Sequence, residues 1–87
     1  MKIVGITINQ GEYQGRNYHN VVFHGISEAT RENAVGQLVE QVKVNYATLL
    51  SQIGTDKTDK HIFGYVGKEL GFAYNKYGSV EYVTELK

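Results

Sequence analysis

The stretch that most constrains this chain covers residues 31–53, RENAVGQLVEQVKVNYATLLSQI. On a helix with about 100° per residue, most of its apolar side chains fall within an arc of roughly 120°. They are Val35, Leu38, Val39, Val42, Tyr46, Leu49, Leu50 and Ile53. The opposite face is charged, amide-bearing or small. The pattern predicts one long amphipathic helix that ends before Gly54, with one face on a core and the other in water.

A second interpretation divides the same stretch into a strand and a short helix. Residues 37–45, QLVEQVKVN, are rich in valine and alternate in part, which favours a strand and leaves only residues 46–53 helical. The helix places Val44 off the apolar face, whereas the strand places Glu40 on the face of Leu38 and Val42. We prefer the helix because a carboxylate on a core face is the larger violation.

Two predicted hairpins flank this stretch. Their strands cover residues 2–8 and 18–25, then 69–75 and 79–86. In the first strand Val4, Ile6 and Ile8 share one face, which is typical of a strand with one buried side. Residues 9–17 contain two glycines among polar residues and are predicted to be a loop. The second hairpin turns at residues 76–78, Lys-Tyr-Gly.

We therefore expect an α+β fold in a single domain covering residues 1–87. Its antiparallel four-stranded sheet consists of two hairpins, with one long amphipathic helix between them (ββαββ). If residues 37–45 form a strand, the order becomes three strands, a short helix and two strands. That order predicts instead an OB-like five-stranded barrel with a short helix between strands 3 and 4.

Composition excludes several classes of protein. The chain has 87 residues and no cysteine, which rules out disulfide frameworks and thiolate sites. Nine basic residues balance nine acidic ones, so there is no excess charge for strong duplex binding. The opening MKIVGITINQ is too short and too alternating for a signal peptide. No run approaches the roughly 18 apolar residues of a membrane span. We expect a cytoplasmic protein that does not associate with membranes.

No motif indicates catalysis or a cofactor. Residues 64–68, GYVGK, have the Gly-Lys of a phosphate loop, but the first glycine is wrongly spaced and Glu69 replaces the required Ser or Thr. His19, His24 and His61 do not form a spaced pair on a helix, so no metal site is expected. The prediction is a protein that is not an enzyme and carries no cofactor.

Tyrosine is the one compositional oddity, with seven residues in the chain. Two predicted hairpin ends carry an aromatic–cation–aromatic pattern. The six residues, which we predict to be binding residues, are Tyr13, Arg16 and Tyr18 at the first end and Tyr74, Lys76 and Tyr77 at the second. Tyrosine rings with polar tips suit protein interfaces and stack on unpaired bases. A purely structural interpretation stays open, because tyrosine also suits half-buried strands.

Two further segments are EYQGRNYHNVVFH at residues 12–24 and VGKELGFAYNKYGSVEYV at residues 66–83. Together they resemble small accessory proteins of phages and integrative mobile elements in Gram-positive bacteria. The resemblance implies a mobile-element origin and a non-catalytic role. The leading hypothesis is a small interaction module, an accessory or inhibitor protein that binds a protein partner. An exposed sheet would also allow a homodimer. The alternative is an OB-like protein that binds single-stranded nucleic acid.

Overall fold

The computed structural model describes residues 1–28, 32–33 and 35–86. They form a small α+β domain with one open antiparallel sheet of five strands and two short helices. In chain order the elements are β1 (Lys2–Tyr13), β2 (Arg16–Glu28), β3 (Gln37–Asn45), α1 (Tyr46–Ile53), α2 (Asp59–Phe63), β4 (Glu69–Tyr74) and β5 (Val80–Leu86). The expected α+β class is confirmed.

The predicted long helix is wrong, and so is the four-stranded ββαββ sheet that depends on it. Residues 37–45 are strand β3, and the helix covers only Tyr46–Ile53. Positions 31 and 34 of the predicted helix lie outside the described residues. All nine residues of β3 pair with β2, from Glu28 opposite Gln37 to Asn20 opposite Asn45. Pairing with a neighbouring strand thus outweighs the helical periodicity. The five strands and the short helix α1 follow the order of the alternative prediction, and a second short helix, α2, precedes β4.

Side-chain positions in β3 follow from the two-residue period of a strand. Val42 and Val44 lie in the core, whereas Val39 is 79% exposed. Glu40 was the objection to a strand, yet it is exposed and lies opposite Gly25. Glu40 shares the face of Val42 but lies where that face is exposed, so its carboxylate is not buried and the expected conflict does not arise.

The strands lie in the order β3-β2-β1-β4-β5. Every neighbouring pair is antiparallel, so the two edge strands β3 and β5 run parallel to each other. Their Cα atoms approach within 8 Å. β1 meets β4 only near its start, where Lys2 lies opposite Glu69. The sheet therefore curls until its two edges come close together.

Helix α1 follows β3 directly and lies against the free edge of β5. Asn45 caps its start by accepting a hydrogen bond from the Thr48 N–H (3.2 Å). The Gln52 side chain donates to the Glu81 carbonyl (2.6 Å) and accepts from the Val83 N–H (2.7 Å). One amide thus satisfies two edge groups that would otherwise need a partner strand. The helix ends at Ile53, and Gly54 follows with φ of +122°, which confirms the predicted end.

The core lies between the concave side of the sheet and the helices. Its fully buried members are Ile3, Val21, Phe23, Val44, Leu49, Ile62 and Leu70, with Val42 nearly so. The predicted common face of Val4, Ile6 and Ile8 is only partly correct. The pairing of β1 with β2 shifts between Ile3 and Gly5, so Ile3 enters the core and Val4 is half exposed. This irregularity behaves as a β-bulge, which inserts one residue and changes the face of those before it.

The first hairpin extends beyond the core as an arm, which we define as residues 9–19. The predicted loop at residues 9–17 is wrong, because β1 and β2 pair as far as Tyr13 opposite Arg16. Only Gln14 and Gly15 form the turn, with φ of +51° and +77°, as a two-residue hairpin turn with positive φ requires. The arm has left the core, so both its faces are polar and its sequence lacks the alternation of a half-buried strand.

Candidate functional site

Two adjoining grooves mark the surface where the arm, the end of β3 and the β4–β5 turn meet. The arm groove, of about 700 Å³, is lined mainly by Gln10, Glu12, Asn17, Tyr18, His19 and Tyr46. The tip groove, of about 570 Å³, is lined mainly by Lys43, Thr48, Tyr74, Asn75 and Ser79. Asn20 and Asn45 line both grooves. The two grooves therefore adjoin at this pair of residues.

Asn20 and Asn45 link the grooves because they are the last pair of the β2–β3 ladder. Beyond them the arm continues alone, while Asn45 begins α1 as its N-cap. On the other side, Asn75 holds the β4–β5 turn, because its side-chain oxygen accepts from the N–H groups of Tyr77 (2.9 Å) and Ser79 (3.1 Å). The site is thus built on strand ends and one rigid turn.

The six predicted binding residues occupy two kinds of position. Tyr18 lines the arm groove and Tyr74 lines the tip groove. The other four, Tyr13, Arg16, Lys76 and Tyr77, are exposed around the two hairpin turns and line neither groove. Lys76 Nζ lies 5.2 Å from the centre of the Tyr77 ring, a cation–π distance. Arg16 is four strand residues beyond Asn20, or about 13 Å along the arm.

Tyr18 depends on the glycine opposite it. Gly11 pairs with Tyr18 across the hairpin, and a Cβ atom at position 11 would lie 2.7 Å from the Tyr18 hydroxyl oxygen. The bare backbone therefore lets the ring lie across the arm, on the face opposite to His19, because neighbouring residues of a strand point to opposite faces. A glycine among polar residues is typical of a loop, but Gly11 lies in a strand, where its missing side chain leaves space for the Tyr18 ring.

The site also contains a pair of stacked rings that has no signal in the sequence. The His19 and Tyr46 rings stack with centroids 3.6 Å apart and planes 10° apart. The Tyr46 hydroxyl donates to Asp59 Oδ1 (2.6 Å), which ties the stack to α2. This hydrogen bond, partial burial and the negative charge of Asp59 raise the pKa of Tyr46 above its ordinary value. His19 and Tyr46 lie far apart in the chain, and no spacing rule connects them.

The side chains of the site favour binding over acid–base chemistry. Its cations are Arg16, Lys43 and Lys76, and Glu12 lies in the arm groove. His24 does not join His19, because its Nε2 lies 3.0 Å from the Thr7 hydroxyl on the opposite face of the sheet. Among the residues that the structure describes, no group of three His, Asp or Glu side chains could hold a metal ion. The amide side chains and aromatic rings can bind a polar, planar ligand.

Comparisons with family models, curated proteins and solved structures found no match to this chain. Within the described ranges, no helix has both the length and the apolar character needed to cross a membrane. Any functional interpretation therefore rests on the geometry of the grooves and on the order of the strands.

Proposed function

We propose that this protein is an OB-like module that binds single-stranded nucleic acid. The observation that carries the proposal is the position of the two hairpins beside one another: His19 of the arm and Tyr74 of the β4–β5 hairpin line grooves that share Asn20 and Asn45. OB-folds are partly open five-stranded barrels that bind oligonucleotides with the β2–β3 face and the β1–β2 and β4–β5 loops.

The strand order supports this interpretation. β1 lies at the centre between β2 and β4, the edge strands β3 and β5 are parallel and close, and α1 lies between β3 and β4 in the chain. This is the arrangement of a five-stranded barrel that has not quite closed. Gln52 of α1 occupies part of the remaining gap through its two hydrogen bonds to β5.

The chemistry of the surface suits an unpaired strand better than a duplex. Tyr74 in the tip groove offers a ring on which a base can stack, and stacking tolerates any sequence. Arg16, Lys43 and Lys76 are exposed beside the grooves and can contact phosphates. Three cations on a chain with no net charge supply little of the electrostatic attraction that duplex binding needs.

The proposal is tested by fluorescence anisotropy with a labelled oligothymidylate of about 12 nucleotides, within the usual site size of an OB-fold. We expect binding at low salt, weakened about tenfold by Tyr74→Ala, because this variant loses a stacked base. Tyr82→Ala is the matched control, since Tyr82 is exposed on β5 and lines neither groove. No binding at low salt, or an equal loss with Tyr82→Ala, would refute the proposal.

A second candidate is the protein-binding module, an accessory or inhibitor protein of a phage or mobile element. The observation that favours it is the open edge strand β3, where Val39 is 79% exposed. Such an edge can accept a strand from a partner or from a second copy of the chain. Under this candidate, Val39→Lys would abolish co-purification of the partner and leave oligonucleotide binding unchanged. Retention of the partner by this variant would count against it.

A further inference from the structure

We infer that the arm groove is a slot for one unpaired nucleobase, which stacks on the paired rings of His19 and Tyr46. This inference rests on the proposed function and assigns a ligand group to residues that the tyrosine pattern did not include. We call His19 and Tyr46, with the amide side chains beside them, the base slot.

The lining of the arm groove selects a neutral, planar group. The described residues that line it include rings and amides, with Glu12 as a carboxylate and no lysine or arginine. A phosphate would be repelled by Glu12 and would find no cation there. A nucleobase is uncharged, stacks on aromatic rings and carries donors and acceptors on its edges. The side chains of Asn17 and Gln10 can match those edges, because an amide both donates and accepts.

The stack is held in place before any ligand arrives. Tyr46 is the first residue of α1, and its hydroxyl is bound to Asp59 of α2. His19 lies on β2 opposite Gln10 of β1. The next residue, Asn20, forms the last pair of the β2–β3 ladder with Asn45. Both rings are only half-buried, so an open groove leaves room for a third ring. Because neither ring needs to be ordered on binding, a base meets a preorganised surface.

The test combines removal of the His19 ring from the protein with removal of single bases from the oligonucleotide. The probe is the shortest oligothymidylate that wild-type protein binds, so that it cannot slide, together with a series in which one nucleotide at a time is abasic. In wild-type protein, an abasic nucleotide at the base stacked on Tyr74 should weaken binding about tenfold, and so should one at a single further position, the base in the slot. His19→Ala should weaken binding of the intact oligonucleotide about tenfold and should remove the sensitivity at that position. His19→Phe preserves a stacking ring and should retain wild-type affinity.

The outcomes separate the slot from the proposed function. If wild-type protein binds and His19→Ala binds equally well, the base slot is refuted while the proposed function stands. If wild-type protein binds no oligonucleotide at low salt, both are refuted. Circular dichroism establishes whether His19→Ala is folded. If it is not, two other results refute the slot. One is an abasic series in wild-type protein in which no second position is sensitive, and the other is loss of binding in a folded His19→Phe variant.

Discussion

Tyr46 connects three elements through a single side chain. Its backbone begins α1, its ring stacks on His19 of β2, and its hydroxyl donates to Asp59 of α2. The hydrogen bond to Asp59 is the largest of the effects that raise the pKa of Tyr46, followed by partial burial and by the charge of that carboxylate. Burial likewise raises the pKa of Tyr65, with Glu85 adding to the effect and Lys68 opposing it. Both residues make the folded state sensitive to alkaline pH.

The direction of the pH effect follows from proton linkage. Because its pKa is higher in the folded than in the unfolded state, Tyr46 contributes stability that is present below the unfolded value of about 10. That stability is lost as pH rises through the folded pKa. The melting temperature of wild-type protein should therefore fall more steeply above about pH 10 than that of Tyr46→Phe. Thermal melts at several values from about pH 8 to pH 11 measure this.

The comparison isolates Tyr46, because Tyr65 is present in both proteins and its contribution cancels. Parallel losses of stability in the two proteins across the alkaline range would show that the bond to Asp59 does not form in solution. The same variant retains the ring, so it leaves the stack on His19 intact.

At the scale of elements, local signals predicted the elements that end at a glycine. Gly54 and Gly78 both have positive φ, and they mark the end of α1 and the β4–β5 turn where the sequence predicted them. β3 was missed because its apolar residues fit a helical arc almost as well as a strand. Val44 does not fit the apolar face of the helix, and this misfit is the local signal that favours a strand. Glu40 is exposed and lies opposite Gly25, a pairing that no local pattern reveals.

In the candidate site too, some features have a local signal in the sequence and others depend on the assembled fold. A tyrosine beside a hairpin turn is a local signal, and it placed Tyr18 and Tyr74 in the grooves. The His19–Tyr46 stack depends on how the arm leaves the sheet beside α1, which only the assembled fold determines.

β3 itself is tested by a pair of valine variants. Val44 is 1% exposed, so Val44→Ala removes two methyl groups from the core and should lower the free energy of unfolding by about 2 kcal/mol. Val39→Ala, on the same strand, should change it by less than about 0.5 kcal/mol because Val39 lies in water. Urea denaturation measures both. The long helix would require the reverse order, with Val39 on the buried face.

At the scale of the whole molecule, the two edge strands nearly meet, and the charges are balanced. α1 bridges part of the gap between the edges through Gln52. Only three cations border the grooves, and Glu12 partly offsets them. An unpaired strand would therefore be held mainly by stacking and hydrogen bonds.

The dependence of binding affinity on salt concentration measures how much of the binding is electrostatic. Each neutralised phosphate of a single strand contributes about −0.7 to the slope of log K against log salt, so three contacts give a slope of about −2. Lys43→Gln should make the slope shallower by about 0.7, whereas Lys60→Gln on α2, which lines neither groove, should leave it unchanged. A slope steeper than about −5 would indicate a different and more basic surface.

The most direct test of the central claim is a map of where an unpaired strand binds. Backbone amide shifts are recorded by NMR while oligothymidylate is added at low salt. We predict that the shifted amides cluster at residues 17–20, 43–47 and 74–79, around the two grooves, and that those of residues 59–68 do not move. Shifts confined to residues 59–68, or no shifts at saturating oligonucleotide, would contradict the account.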